Sequence, residues 1–166
     1  MTLFRPLAAL LLLMASACAT RADDPPAPGW YVMRHLQKAE GQDPALSAAG
    51  HANARRLIDF FAADPPRAIY VSTTRRALET AGPLAAKLGV TVRDYDPRDT
   101  PGLVARVKAE AGTVLVIGHS NTVPEIVARL GGARPADLAE TDYGDVFRVR
   151  RDGTVERLRL EEATGR

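Results

Sequence analysis

The sequence predicts an α/β fold, a three-layer sandwich in which a mostly parallel central sheet carries helices on both faces and ends in a C-terminal β-hairpin. Three observations carry this. From Trp30 onward, short apolar runs alternate with helical patterns four times, as parallel βαβ units require. Residues 113–117 form a near-continuous apolar run, the pattern of a strand buried on both faces. Asp152-Gly153 separates two stretches of alternating apolar and polar residues, a strong short-range hairpin signature.

The elements follow in order. Residues 30–34 read as the first strand, and the polar segment 37–46, with Gly41 and Pro44, as a loop. Ser47 is a suitable N-cap for a helix to about residue 63, with Ala52, Leu57, Ile58 and Phe61 on one face, stopped by Pro65-Pro66. Residues 68–72 form a second strand. A helical run over 75–88 contains Gly82-Pro83, which predicts a kink or a break, and Gly89 suits its C-terminal cap. A third strand is expected over 90–93, an acidic loop over 94–99 and a helix over 101–111 with Pro101 in its first turn. The strand 113–117 should be central. A helix over 122–130 ends at Gly131-Gly132, and the hairpin strands cover 145–151 and 154–160 at or near a sheet edge.

The amino-terminal segment reads as an export signal. Arg5 supplies positive charge, and the eleven residues from Leu7 to Ala17 are apolar or small, too short to span a bilayer. Ala15-Ser16-Ala17 fits a cleavage site. Ala15-Ser16-Ala17-Cys18 also resembles a bacterial lipobox, with Ala15 where Leu is usual, so that Cys18, the single cysteine, would carry lipid. The division expected is a signal peptide over 1–17, a Pro-rich linker over 18–29 and one domain over 30–162, giving an exported, periplasmic protein that meets membrane only through a lipid on Cys18. With 22 basic and 20 acidic residues, a formal net charge of +2 and no long basic run, the chain has no nucleic-acid stripe.

Three strands end in residues that a core does not need: Arg34-His35, the run Ser72-Thr73-Thr74-Arg75-Arg76, and Gly118-His119-Ser120-Asn121. Parallel strands place these endings at one sheet edge, where α/β folds bind ligands. Two histidines and at least two arginines would converge there, a charge balance suited to a dianion. Arginine forks match phosphate oxygens, and the helix after Asn121 adds backbone donors. Of the adjacent pair, the spacing from Ser72 favours Arg76 and leaves Arg75 in solvent. His35, His51 and His119 lack paired metal-ligand spacing.

Arg34-His35, Ser72-x-x-x-Arg76-Ala77-x-x-Thr80-Ala81 and Gly118-His119-Ser120-Asn121-Thr122, in this order, resemble the histidine phosphatase superfamily, to which the cofactor-dependent phosphoglycerate mutases belong. The segment from Arg34 to Ser47 is similar to a short bacterial branch reading Arg-His-x-Glu-Lys, with Gln37 here in place of Glu and Leu36 where many members carry Gly. The resemblance implies a phosphoric monoester hydrolase without metal or other cofactor. His35 would be the nucleophile and form phosphohistidine, kept neutral by neighbouring arginines. Arg34 and Arg76 would hold phosphoryl oxygens, His119 would act as a cationic donor, and Ser120 and Asn121 would support binding. The position after the second histidine, where some members have an acid, is Ser120. Among Asp94, Asp96 and Asp99 the favoured general acid is Asp99, ahead of Glu125. The substrate would be a small phosphorylated molecule or a phosphoprotein. Two alternatives stand beside the hydrolase: a phosphohistidine phosphatase acting on proteins, since no cap insertion is evident, and a non-catalytic phosphate-binding lipoprotein, which would not require a nucleophile.

Overall fold

Alternation along the strands sorts their side chains into two cores. In the computed structural model, which describes residues 28–160, the elements are β1 (Trp30–Arg34), α1 (Ala48–Phe60), β2 (Ala68–Ser72), α2 (Arg75–Leu88), β3 (Val92–Tyr95), α3 (Thr100–Ala109), β4 (Val114–Gly118), α4 (Val123–Leu130), β5 (Asp145–Val149) and β6 (Val155–Arg159). Tyr31 and Met33 of β1, Ile69 and Val71 of β2, and Leu115 and Ile117 of β4 pack with Leu57 of α1 and Leu84 of α2. The intervening Trp30, Val32, Tyr70, Val114 and Val116 pack with Leu103 and Val107 of α3 and Ile126 and Val127 of α4. The period of two thus produces the three layers directly.

The six strands run in the order β3-β2-β4-β1-β5-β6. β1 and β2 flank β4 in parallel, β3 joins β2 in parallel, and β5 lies antiparallel to both β1 and β6. β4 is interior, and the hairpin forms one edge. Its turn is closed by Arg150 N donating to Thr154 O at 2.9 Å, with Gly153 at φ +87°. The expected signal segment, Cys18 and the start of the expected linker lie outside the described residues. Among the described residues no helix is long and apolar enough to cross a membrane.

Three departures from the sequence expectation have a clear local reason. α1 stops at Phe60, and the following turn delivers Asp64 to Tyr31 Oη (2.8 Å) and to the Thr113 hydroxyl. α2 runs unbroken through Gly82-Pro83: proline deletes one helical donor, while Thr80, Ala81, Leu84 and Ala85 remain buried. β3 begins at Val92 because Val90 N closes the helix on Ala85 O (3.1 Å), a Schellman-type ending at Gly89 with φ +65°.

Candidate active site

The parallel register brings the strand endings level. Arg34 pairs with Gly118, and His35 N donates to Gly118 O at 3.0 Å. Gly118 is required by close approach, since a Cβ there would lie 2.8 Å from Thr122 Oγ1 and 3.0 Å from Tyr95 Oη. Beside this junction β2 ends at Ser72, and the first turn of α2 points Arg76 between the two histidines. The result is an open cavity of about 270 Å³ lined by Arg34, His35, Lys38, Arg76, His119, Ser120, Asn121 and Glu140.

His35 is 2% exposed, and both ring nitrogens are engaged. The Leu36 carbonyl lies 2.8 Å from Nδ1 and can only accept, so Nδ1 carries the proton. Arg76 Nε donates to Nε2 at 3.0 Å, which marks Nε2 as the nitrogen with the free electron pair. The Leu36 peptide is itself fixed, because its N–H donates to Thr80 Oγ1 (3.1 Å) and Thr80 Oγ1 donates to Arg76 O (2.7 Å). Burial first, then the charges of Arg34 and Arg76 and the His119 ring, push the His35 pKa down to about 4, against the opposing pull of the Leu36 carbonyl. The arginines therefore assist an effect that desolvation leads.

The two imidazoles stand 5.3 Å apart, edge to face. Arg76 NH2 approaches His119 Nδ1 at 3.3 Å, which leaves the proton on Nε2 for Ser72 Oγ, 2.7 Å away. Burial, then Arg76 and Arg34, lower the His119 pKa to about 4, opposed by Glu140. These surroundings favour the neutral His119 ring, whereas the resemblance implies a cationic donor once a phosphoryl group is bound. Ser72, fully buried, is the residue that orients it.

Arg34 is buried and largely committed to the loop preceding β5. NH1 donates to Ala139 O (2.7 Å) and Asp142 O (3.3 Å), NH2 meets Glu140 Oε2 at 2.9 Å, and the guanidinium lies 4.4 Å over the Tyr143 ring. Its Nε is buried with no hydrogen-bond partner among the described residues. Ser120 lines the cavity and donates to Glu140 Oε1 at 2.8 Å, while Asn121 lines it as an exposed side chain. Arg75 turns away, its Nε donating to Glu79 Oε1 at 2.7 Å. Leu36 is buried in the core. Gln37 accepts from Asn53 Nδ2 through its side chain and from Ser47 through its carbonyl, so both departures from the short-branch pattern fall on packing rather than on the cavity lining.

The acid assignment is corrected. Asp99 is the N-cap of α3, accepting from Gly102 N at 2.9 Å, and does not line the cavity. Asp96 is paired with Arg98 and Glu125 with Arg129. The carboxylate that does reach the cavity, Glu140, lies in the irregular segment between α4 and β5, where no periodicity marks it. Among the described residues no group of three or more His, Cys, Asp or Glu is arranged to hold a metal ion.

The depressed histidine pKa values predict acid sensitivity. Between about pH 6.5 and pH 4 the unfolded chain binds protons that the folded chain refuses. Stability is therefore fully present above about pH 6.5 and is lost as the pH falls toward 4. For His35, after allowing for solvent screening, the loss is on the order of 2 kcal/mol. Urea melts across this range should be flatter for His35→Gln by that amount; an unchanged slope would contradict the burial-driven shift.

Residues 30–98 match the family model of the histidine phosphatase superfamily (branch 1). No curated protein sequence matches the chain significantly. Among solved structures, the protein histidine phosphatase SixA with tungstate is 19% identical, with 78% of this chain and 94% of that chain covered at a TM-score of 0.60. A mycobacterial glucosyl-3-phosphoglycerate phosphatase with inorganic phosphate is 17% identical, with 79% and 95% covered at a TM-score of 0.60. YhfR of Bacillus stearothermophilus is 18% identical, with 82% and 98% covered at a TM-score of 0.59. These neighbours share its fold, the family match spans the strand-end Arg34-His35 and Arg76, and His119 meets them across the sheet edge, so the chain resembles the histidine phosphatase superfamily in its fold and over residues 30–98 in its sequence.

Proposed function

We propose that the chain is a metal-independent phosphatase that hydrolyses phosphomonoesters through a phosphohistidine on His35. The observation that carries this reading is the fixed tautomer of His35. With Nδ1–H held by the Leu36 carbonyl, the Nε2 electron pair faces the cavity beside Arg76. A phosphate monoester entering the cavity exchanges its oxygens for the present partners of Arg76 and Arg34. Nε2 attacks phosphorus as the ester P–O bond breaks, and the Nδ1–H···O=C bond to Leu36 takes up positive charge growing on the ring. Arg76 and Arg34 stabilise the redistributing phosphoryl charge, the task that a metal performs in other phosphoryl-transfer sites. Water then attacks phosphorus, the P–N bond breaks and the electron pair returns to Nε2. The test is turnover of p-nitrophenyl phosphate in the presence of chelator; saturable phosphate binding without turnover of any phosphoester or phosphoramidate would favour a binding protein instead.

A second substrate class, phosphohistidine on a protein surface, is favoured by the small, open cavity, which a protruding phosphoimidazole could reach. One fold neighbour is described as a protein histidine phosphatase. We further propose that the protein is exported and anchored through Cys18, on the strength of the apolar run and lipobox-like stretch before it. Cys18→Ser should then shift the protein from the membrane fraction to the soluble fraction, and continued membrane retention would refute the anchor.

A further inference from the structure

The geometry points to Glu140 as the acid that protonates the departing alcohol, a role that rests on the phosphatase reading above. Glu140 is the carboxylic side chain lining the cavity, and its two oxygens divide between the two sides of the site: Oε2 meets Arg34 NH2 at 2.9 Å, and Oε1 accepts from Ser120 Oγ at 2.8 Å. Its backbone is held while its tip is exposed. The flanking Ala139 and Asp142 carbonyls clasp Arg34, Ala139 N donates to Asp142 Oδ2 at 2.8 Å, and Tyr143 lies beneath the guanidinium. The Glu140 side chain itself is 76% exposed. A carboxyl carried on a fixed loop at the solvent side of a nucleophile can meet a leaving group that departs toward solvent.

Glu140 is held in its ionised form, its pKa lowered by Ser120 and Arg34 and, more weakly, by Lys38. A phosphate ester reverses this environment. Its oxygens draw Arg34 away from the carboxylate and set negative charge beside it, and both changes favour the protonated carboxyl. Glu140 therefore takes up a proton as substrate enters. In the first step His35 Nε2 forms its bond to phosphorus, the ester P–O bond breaks, and the leaving oxygen takes the proton from Glu140, giving alcohol and carboxylate. In the second step the carboxylate accepts a proton from the water that attacks phosphorus, the P–N bond breaks, and phosphate leaves with Glu140 again protonated. The alternatives nearby are otherwise engaged. Asp99 caps a helix, and Asp43, which accepts from Arg75 N and stands 3.6 Å from Arg76 NH1, does not line the cavity.

The test compares two esters on wild type and on Glu140→Gln, which keeps the shape of the side chain. p-Nitrophenolate leaves without protonation, whereas the alkoxide of glycerol phosphate needs a proton. In the variant kcat should fall on both esters, because hydrolysis of the shared phosphohistidine loses its base, while kcat/KM, which reports the first step alone, should fall on the order of 10²-fold more on glycerol phosphate than on p-nitrophenyl phosphate. The fall in wild-type glycerol phosphate turnover at rising pH should also disappear. An equal change in kcat/KM on both esters, with inorganic phosphate still inhibiting, would overturn the assignment, because a residue that only competes for Arg34 or shapes the loop affects both alike. If the wild type turns over neither ester, the phosphatase reading itself fails, and the acid with it.

Discussion

Replacing Arg76 with alanine is expected to lower kcat/KM on p-nitrophenyl phosphate by on the order of 10²–10³, the loss associated with one transition-state donor. Arg76 is the side chain through which the site is connected. Its Nε touches the His35 nitrogen carrying the electron pair, its NH2 touches His119, and its NH1 lies 3.6 Å from Asp43. The substitution removes a phosphoryl ligand and one of the charges that hold both imidazoles neutral. Lysine should not restore the rate, since a single ammonium cannot present donors in several fixed directions. Arg75→Ala is the matched control. That guanidinium is ion-paired with Glu79 and 63% exposed, so its loss should leave the rate near wild type. A larger loss at Arg75 than at Arg76 would contradict the geometry.

Replacing His35 with alanine is expected to reduce turnover by on the order of 10⁴ or more, as removal of a covalent nucleophile does when the remaining groups only bind and polarise. The reduction should fall on kcat. Arg34 and Arg76 still line the cavity in His35→Ala, and Arg76 gains an N–H freed from the imidazole. Inorganic phosphate should therefore still bind this variant. Retention of most of the turnover would mean that phosphorus is attacked by another group or directly by water.

Much of this site was legible in the sequence because it violates the sequence's own pattern. Buried strands do not need Arg34-His35 or Gly118-His119 at their ends, and a parallel sheet has one edge to which such endings can go. Ser47 and Gly89 announced their helix ends by residue type, and Asp152-Gly153 announced the hairpin. Asp99 was misread although its true task was spelled out: an aspartate immediately before Thr100-Pro101-Gly102 is an N-cap ahead of a proline-started helix. Glu140 was illegible for a deeper reason. Its segment has neither helical nor strand periodicity, and it reaches the cavity because β5 pairs antiparallel with β1, which carries the preceding loop back over Arg34. That relation is tertiary, as is the burial that makes both histidines neutral. The chain pattern offered charge as the cause of that neutrality, but packing contributes more.

The central claim, that His35 Nε2 accepts the phosphoryl group, is tested most directly by trapping the intermediate. The enzyme is mixed with p-nitrophenyl phosphate in chelator, quenched in alkali, digested and mapped by mass spectrometry. One acid-labile, alkali-stable phosphoryl group is expected on Nε2 of His35, absent from His35→Ala. Phosphoryl on a hydroxyl such as Ser72 or Ser120, or on His119 with His35 unmodified, would contradict it.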